Sequence, residues 1–378
     1  YSNHKKIRLG YFSADFRDHP VSYLTAEIYE LHNREMFEVF AFSIGADTKD
    51  EMNLRIKAGV DHFYDVHSMS HREIVDLSKS LEIDIAIDLG GYTQNSRPEI
   101  FFMQSAPLQI NYLGYAGTMG SNSMDYLVAD HTLIPKEKRR HYSEKIVYLP
   151  NSFMVNEDNS VIPKKLFNRK DVGLPEVGFV FCCFNNHYKI YPDTFRGWLK
   201  ILSKVNDSVI WLPETNNIAM DNLKKEAINC GVKENRLIFA PRLQSREEHL
   251  NRIRLADLFL DTLPYNAHAT TSDALQVGLP VLTRIGNSFA SRVAASLLTA
   301  VNMTELITNS QDQYEALAIK LATNSEEMQM IRFKLEENVN SEPLFNTKLF
   351  TKHLESAFLS MYEANKKGLD SDHIYVEN

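Results

Sequence analysis

The residues best suited to chemistry follow the apolar run Leu258–Asp261, in the segment from Pro264 to Gln276. A helix that begins there has unpaired backbone N–H groups at its start, and such groups bind anions, phosphate above all. His268 can donate a hydrogen bond to a phosphate oxygen, and Asp273 can accept hydrogen bonds from ribose hydroxyls. The pattern indicates a sugar-nucleotide site, although an ordinary N-capped helix has the same spacing.

His19 is a second candidate, because it follows the first predicted strand. An imidazole titrates near neutral pH and could take a proton from an attacking hydroxyl. The alternative is structural: Asp18 caps a helix, Pro20 occupies its first turn, and His19 has no function.

Two glycine-containing segments, Asp88–Thr93 and Leu113–Thr118, also follow predicted strands. Glycine lets the backbone approach a ligand closely or turn tightly. A plain strand-to-helix turn explains each segment equally well, so neither is specific by itself.

Lys189 lies between a strand that ends at Phe184 and a helix that begins near Pro192. At that place its ammonium group could meet a phosphate. A solvated loop lysine is the alternative.

The segment after the strand Leu237–Phe239 holds a capping-box spacing, Ser245 with Glu248. The box leaves His249 and Arg252 unexplained, although they lie one turn apart on a shared helix face. These two side chains could stack on or bind a nucleoside.

No metal-binding constellation is visible, and we expect no cofactor. The aspartates after strands, Asp15, Asp88 and Asp261, are scattered, and there is no Asp-x-Asp pair of the kind that magnesium-dependent glycosyltransferases commonly use. The pattern favours stabilisation of a diphosphate by lysine, histidine and a helix dipole.

The composition is that of a globular protein, with 44% hydrophobic and 24% charged residues among 378. A formal net charge of -8 argues against a nucleic-acid partner. No apolar run reaches the roughly 20 residues of a membrane span. Cys182 and Cys183 lie side by side in a strand-like run, so we expect buried thiols in a reducing compartment and a cytoplasmic location.

Short β-rich runs alternate with segments of helical period in two series, which predicts two α/β domains with parallel sheets. The predicted bounds are residues 1–165, residues 166–345, and a C-terminal helix and tail over residues 346–378. Ligands of such sheets bind outside the carboxyl ends of the strands, so we expect the two domains to face a central cleft.

Taken in order, these motifs resemble the catalytic region of the protein O-GlcNAc transferase family, including its SPINDLY relatives. The resemblance covers nearly the whole chain. Its matching strings are Ser13-Ala-Asp-Phe with His19-Pro20, Gly91-Tyr-Thr93, Ala106-Pro-Leu-Gln109, Leu113-Gly-Tyr-Ala-Gly-Thr118, Tyr142-Ser-Glu-Lys145, Asn185 to Lys189, Glu247-Glu-His249, Leu255-Ala-Asp257, His268 to Asp273, and Ala290 to Ser296.

The resemblance implies a GT-B fold of two Rossmann-like domains and an inverting, metal-independent transfer of GlcNAc from UDP-GlcNAc to Ser or Thr hydroxyls of proteins. It implies catalytic roles for His19, as general base, and for Lys189, on the diphosphate. The donor-binding residues that it implies are Asn186, His249, Arg252, His268, Thr270, Thr271, Asp273, Leu113 and Gly114.

Three departures from the family pattern keep alternatives open. Tyr23 replaces a second histidine of the animal type, as in the SPINDLY branch, whose members use GDP-fucose. Ala267 and Ala269 flank His268 where the family has glycine and threonine. The tetratricopeptide repeats that usually precede this region are absent, and upstream repeats or a partner could recruit acceptors. UDP-glucose or GDP-fucose as donor, a glycan or small-molecule acceptor, and a non-enzymatic nucleotide-sugar-binding module are the alternatives.

Overall fold

The computed structural model describes residues 4–158 and 167–378. The chain forms two compact units, Tyr1–Asp158 with Pro343–Asn378, and Asn159–Glu342. The predicted boundary between residues 165 and 166 lies outside the described residues. The C-terminal helix and tail, which the sequence assigned to neither domain, belong to the first unit.

The first unit is built on one parallel sheet. Its strands are β1 Ile7–Ser13, β2 Phe37–Ser43, β3 His62–Asp65, β4 Ile85–Asp88, β5 Leu108–Asn111, β6 Tyr126–Ala129, β7 Lys145–Tyr148 and β14 Ile374–Tyr375. Over the described residues their order is β14-β7-β6-β5-β4-β1-β2-β3. Its helices are α1 Pro20–Leu31, α2 Glu51–Gly59, α3 His71–Ser80, α4 Glu99–Phe102 and α12 Thr347–Lys366.

The second unit repeats this design with a sheet of its own. Its strands are β8 Phe179–Cys182, β9 Ser208–Pro213, β10 Leu237–Ala240, β11 Leu258–Leu260, β12 Val281–Arg284 and β13 Ile307–Thr308. In the described part of the chain their order is β10-β9-β8-β11-β12-β13. Its helices are α5 Pro192–Lys204, α6 Asn217–Asn229, α7 Arg246–Ile253, α8 Ala269–Gln276, α9 Val293–Ala300, α10 Gln311–Thr323 and α11 Ser325–Ser341.

The burial pattern explains why these runs form parallel strands. Every residue of β4, β5 and β6 is buried, because helices cover both faces of a parallel sheet. Prolines open the helices that follow β1 and β8, since Pro20 and Pro192 have a backbone already suited to a first turn. The predicted α/β class with two parallel sheets is confirmed.

Helix α12 packs its apolar stripe onto the first unit. Phe350, Leu354 and Phe358 are buried, as the amphipathic pattern predicts. Glu355 of the same helix accepts hydrogen bonds from the ring of His32 at 2.9 Å and from the backbone N–H of Asn33 at 2.7 Å. The C-terminal segment is therefore an integral layer of the first unit.

The predicted burial of Cys182 and Cys183 is confirmed. Cys182 and Cys183 are buried, Cys230 is exposed, and all three are free. In residues 4–158 and 167–378, no helix combines the length and the apolar character that a membrane crossing needs.

Candidate active site

Lys189 ends the short turn His187–Lys189, which links β8 to α5. Its ammonium nitrogen donates to the carbonyl oxygen of Asn266 at 3.0 Å and lies 4.1 Å from the centre of the Tyr265 ring. Burial lowers the pKa of Lys189 to about 8, against the opposing effect of the Asp261 carboxylate. Lys189 is therefore a partly desolvated cation beyond the carboxyl end of β8.

Asp261 directly follows β11 and is only 3% exposed. Its carboxylate accepts hydrogen bonds from the N–H groups of Thr262 at 2.7 Å and Ala267 at 2.6 Å, and from the hydroxyl of Thr283 on β12 at 2.6 Å. Burial raises the pKa of Asp261 to about 7 despite these donors. One side chain thus fastens both ends of the loop Thr262–Ala267.

Asn185 connects that loop to helix α8. Its side-chain N–H donates to the hydroxyl of Thr262 at 2.8 Å, and its carbonyl oxygen accepts from the hydroxyl of Thr270 at 2.6 Å. The neighbouring Thr271 is fully buried, and its hydroxyl donates to the carbonyl of Ala267 at 3.0 Å. Of the two predicted donor-binding threonines, Thr270 lies nearer the surface and Thr271 anchors the start of the helix.

His268 immediately precedes α8, as predicted. Its ring stacks on Tyr265 with 4.8 Å between ring centres, and its Nε2 donates to the carbonyl of Ala290 at 3.2 Å. Burial, helped by Lys189, lowers the pKa of His268 to about 3, so the ring is neutral at physiological pH. With the single proton on Nε2, Nδ1 can only accept a hydrogen bond. In this arrangement the carbonyl of Ala290 occupies the N–H, so donation from His268 to a phosphate oxygen stays a prediction and would require that hydrogen bond to be exchanged.

The start of α8 differs from most helix starts in this chain. No side chain caps α8, whereas Ser310 caps α10 and Asn324 caps α11. The N–H groups of Thr271 and Ser272 donate to the backbone carbonyl of His268, and no N-cap side chain accepts from the start of α8 within the described residues. Together with the helix dipole, the first N–H groups of α8 can stabilise an anion beside Lys189.

His249 and Arg252 of α7 form a second group, in which the Arg252 guanidinium donates to Nδ1 of His249 at 3.3 Å. Both pack against Phe184, His249 edge-on at 5.3 Å between ring centres and Arg252 at 5.2 Å from the ring centre. Burial lowers the pKa of His249 to about 4. Arg252 is 4% exposed and donates to the carbonyl of Pro241, so His249 is the more accessible of the two.

The remaining predicted donor residues of this unit lie at its surface or in ion pairs. Asp273 accepts from the Arg246 guanidinium at 3.0 Å, and Arg246 also reaches the side chain of Gln276 at 3.2 Å. A ribose hydroxyl would share the Asp273 carboxylate with Arg246. Asn186 is exposed, and its amide donates to the hydroxyl of Tyr188 at 3.3 Å.

In the first unit, His19 itself caps helix α1. Its Nδ1 accepts the backbone N–H of Val21 at 3.3 Å. The prediction that Asp18 is the cap is wrong, since Asp18 lies one residue too early and its backbone N–H donates to Asp50 at 3.0 Å. Pro20 does occupy the first turn, as predicted.

Asp15 offers His19 a second arrangement. Its carboxylate lies 3.5 Å from Nδ1 of His19, and it also pairs with Arg17 at 2.8 Å. Burial lowers the pKa of His19, while Asp15 opposes that effect. A neutral ring either accepts from the cap N–H through Nδ1 or donates from Nδ1 to Asp15, and only the second tautomer leaves Nε2 free to take a proton.

Leu113 and Gly114 follow β5 in a tightly packed backbone. Leu113 has a positive φ of 71°, which is uncommon for a residue other than glycine. A Cβ on Gly114 would lie 1.9 Å from the carbonyl oxygen of Leu89, so that position requires glycine. The loops after β4 and β5 therefore touch through their main chains.

Asp88 organises the glycine loop after β4. One carboxylate oxygen accepts the N–H groups of Gly90 at 2.8 Å and Gly91 at 3.0 Å. The other oxygen is buried and has no hydrogen-bond partner in the part of the chain that the structure describes. Burial raises the pKa of Asp88 to about 6.

The structure thus groups Lys189, His268 and Thr270 around one loop of the second unit, and places His249 with Arg252 on the neighbouring ring of Phe184. In residues 4–158 and 167–378, no three His, Cys, Asp or Glu side chains come together as a group that could hold a metal ion.

The model of Glycosyl transferase family 41 matches residues 1–168 and 163–354. The chain belongs to glycosyl transferase family 41.

Among curated proteins, this family 41 chain is similar to the "Probable UDP-N-acetylglucosamine--peptide N-acetylglucosaminyltransferase SEC" of Arabidopsis thaliana. The two are 36% identical over 378 residues, which is 98% of this chain and 39% of the relative. The SPINDLY protein of the same plant, described by the same activity, is 28% identical over 96% of this chain and 40% of its own length. The chain therefore spans about two fifths of these relatives.

Among solved structures, a mutant of the O-GlcNAc transferase of Thermobaculum terrenum is similar over 95% of this chain and 68% of that chain, with a TM-score of 0.87 and 30% identity. A glycosyltransferase from Rickettsia africae shares the fold alone, with a TM-score of 0.63 and 10% identity over 95% of this chain and 98% of that chain. The predicted GT-B fold class is confirmed.

Sequence reasoning missed the residues that build the Lys189 environment in this family 41 chain. It treated Asp261 only as one of several scattered aspartates, and it gave no role to Tyr265 or Asn266. The available signal was an aspartate at the end of an apolar strand, directly before the segment that leads to His268.

Proposed function

We propose that this chain transfers N-acetylglucosamine from UDP-GlcNAc to Ser or Thr hydroxyls of protein acceptors, with inversion and without a metal ion. The observation that carries the proposal is Lys189, a partly buried cation beside the uncapped start of α8, in a chain of glycosyl transferase family 41. The names of the relatives supply the donor and the acceptor class.

The second unit would stabilise the leaving group. As the bond between the anomeric carbon and the diphosphate oxygen breaks, negative charge grows on the diphosphate. The Lys189 ammonium and the first N–H groups of α8 would offset that charge, which is the role that a divalent cation has in other glycosyltransferases. His268, with Nδ1 as an acceptor, would orient a donor hydroxyl or N–H group.

The first unit would supply the base. The acceptor hydroxyl oxygen attacks the anomeric carbon from the side opposite the leaving group, so the configuration inverts. His19 would take the hydroxyl proton at Nε2, which requires the tautomer whose Nδ1–H donates to Asp15. The products are the glycosylated acceptor, UDP and the protonated imidazole, which later releases its proton to water.

A second donor is supported by particular residues. They are Ala267 and Ala269, which flank His268, and Tyr23, the positions at which the sequence departs from the pattern that it otherwise resembles. They leave UDP-glucose and GDP-fucose as alternative donors, while the Glu247-Glu248-His249 string and His268 lean towards a uridine nucleotide.

The deciding experiment incubates the protein with UDP-GlcNAc, UDP-glucose or GDP-fucose and a cell lysate, and identifies modified peptides by mass spectrometry. We expect a mass increase of one N-acetylhexosamine on Ser or Thr with UDP-GlcNAc, unchanged by EDTA. Modification by another sugar would replace the donor assignment. Loss of transfer in EDTA, restored by a divalent cation, would refute the metal-free mechanism. Failure to modify any peptide or release UDP would support a binding module.

A further inference from the structure

Asp261 is a buried carboxylate whose charge acts on Lys189 in the proposed leaving-group site. It follows β11, which pairs with β8, and the turn after β8 ends at Lys189. The proposed transfer step does not use Asp261 directly, because the side chain is buried behind the loop Thr262–Ala267. Its position therefore suggests an action through other residues.

The carboxylate determines the shape of that loop. Its donors are the N–H groups of Thr262 and Ala267, at the two ends of the loop, and the hydroxyl of Thr283 from the adjacent strand β12. A buried N–H that loses its acceptor costs about 1–3 kcal/mol, so the loop keeps this form only with an acceptor at this place.

The same loop contacts two residues of the proposed site. The carbonyl of Asn266 accepts from the Lys189 ammonium at 3.0 Å, and the ring of Tyr265 lies 4.1 Å from that ammonium. Tyr265 also stacks on His268. A displacement of the loop would move Lys189 and His268 together.

We infer that Asp261 is a positioning residue, which holds the loop Thr262–Ala267 against Lys189 and keeps the ammonium charged for the leaving diphosphate. This inference rests on the proposed function for the identity of the ligand. The link between Asp261 and Lys189 can be tested without that ligand.

Of the other ionisable groups around this pair, Cys183, Tyr314 and His268 are neutral, whereas Arg284 of β12, which lines a small cavity with Asp261 and Tyr314, is a cation whose guanidinium donates to Gln311 at 3.0 Å. Burial raises the pKa of the Cys183 thiol at the end of β8 and that of Tyr314 on α10, whose hydroxyl donates to the backbone carbonyl of Asp261 at 3.0 Å. His268 is neutral because its pKa is low. A guanidinium keeps its charge throughout the pH series, so among these groups Asp261 and Lys189 are the two whose opposite charges change with pH.

The test is Asp261→Asn, which has nearly the same shape. The remaining oxygen still accepts from the loop N–H groups, and the new amide can donate to the Thr283 hydroxyl, so the variant should fold. We would label amines with a reactive reagent across a pH series and quantify Lys189 by mass spectrometry. The midpoint for Lys189 should fall by about one pH unit, because an opposite charge is lost. Asp88→Asn, a buried aspartate of the other unit, should leave the midpoint unchanged.

Binding of UDP provides the second readout. Below about pH 6 the Asp261 carboxyl is protonated in the wild type, so wild type and Asp261→Asn should bind UDP equally. Above about pH 8.5 the variant should bind about tenfold more weakly, as one unit of pKa implies. In a Lys189→Ala background, Asp261→Asn should have no effect on UDP binding.

An unchanged labelling midpoint would overturn the inference. So would a loss of UDP affinity that is equal at every pH and persists in the Lys189→Ala background, since that pattern belongs to a merely structural residue. A shifted midpoint in a protein that binds no UDP would support the Asp261–Lys189 link and count against the proposed function.

Discussion

In each unit a buried aspartate at the end of a strand binds the loop that follows, but the two aspartates have different surroundings. Asp88 after β4 and Asp261 after β11 are both buried, and each accepts two backbone N–H groups of the loop that follows its strand. Burial raises the pKa of Asp88 to about 6 and that of Asp261 to about 7.

The difference lies in the second carboxylate oxygen. In Asp261 it accepts the hydroxyl of Thr283, and Lys189 exerts an opposing charge nearby. In Asp88 it has no hydrogen-bond partner within the described residues. A buried aspartate can therefore serve as a purely structural anchor in one unit and as the electrostatic partner of a partly buried cation in the other.

The largest effect is expected at Lys189, the partly buried cation of the second unit. Lys189→Ala should lower the rate of sugar transfer about 10²–10³-fold, because the growing charge of the diphosphate loses a donor. The measurement is UDP release with a peptide acceptor, and Lys204→Ala, which changes an exposed lysine of the same unit, is the control. Full activity of Lys189→Ala with nucleotide still bound would remove Lys189 from the mechanism.

A somewhat smaller effect is expected at His19 in the first unit. His19→Asn keeps a residue that caps helices well but removes the imidazole, so stability should hold. The value of kcat should fall about 10²-fold, while donor affinity changes little, if His19 is the base. Titration with UDP-GlcNAc measures kcat and donor affinity separately. A selective loss of donor affinity would make His19 a binding residue.

The pH dependence of the free energy of unfolding tests the raised pKa of Asp88. Because the pKa of Asp88 is raised from 3.8 to about 6, the folded state binds the proton more tightly than the unfolded state. Its contribution is complete below about pH 4 and declines as the pH rises through 6, by at most about 3 kcal/mol. Asp88→Asn should abolish this decline in urea unfolding at several pH values. If the free energy of unfolding changed with pH in the same way for the variant and the wild type, the raised pKa of Asp88 would be contradicted.

The smallest effect concerns close packing in the first unit. Gly114→Ala should lower the free energy of unfolding by about 1–3 kcal/mol, because its Cβ would overlap the carbonyl of Leu89. Gly117→Ala is the control, since its Cβ would meet the Tyr115 ring at an ordinary 3.4 Å. Equal stability of the two variants would show that the loops after β4 and β5 can separate.

Local sequence patterns predicted the secondary structure well where apolar runs are long. The expected strand Leu237–Phe239 lies within β10, Leu237–Ala240, and the helix expected to begin near Pro192 is α5, Pro192–Lys204. The sequence missed α2, β13 and β14, because α2 is short and weakly amphipathic and each of the two strands has only two residues. Such elements are stabilised by contacts with residues distant in the chain, which a local sequence pattern does not contain.

The candidate site was predicted by residue type and corrected by contacts between distant segments. The direction of the His268 proton depends on Ala290, which lies 22 residues later in the chain. The guanidinium of Arg252 donates to the carbonyl of Pro241, and Arg252 also packs on the ring of Phe184, so both contacts come from other segments of the chain. The importance of Asp261 emerges only when β12 brings Thr283 beside it.

The discontinuous first unit has a consequence for synthesis on the ribosome. Asn159–Glu342 is one uninterrupted stretch, whereas the first unit needs Pro343–Asn378 to supply α12 and the edge strand β14. Nascent domains usually fold in the order in which they emerge. Here every residue of the second unit has been made before α12. The surface of the first unit that receives α12 therefore stays uncovered until the end of synthesis.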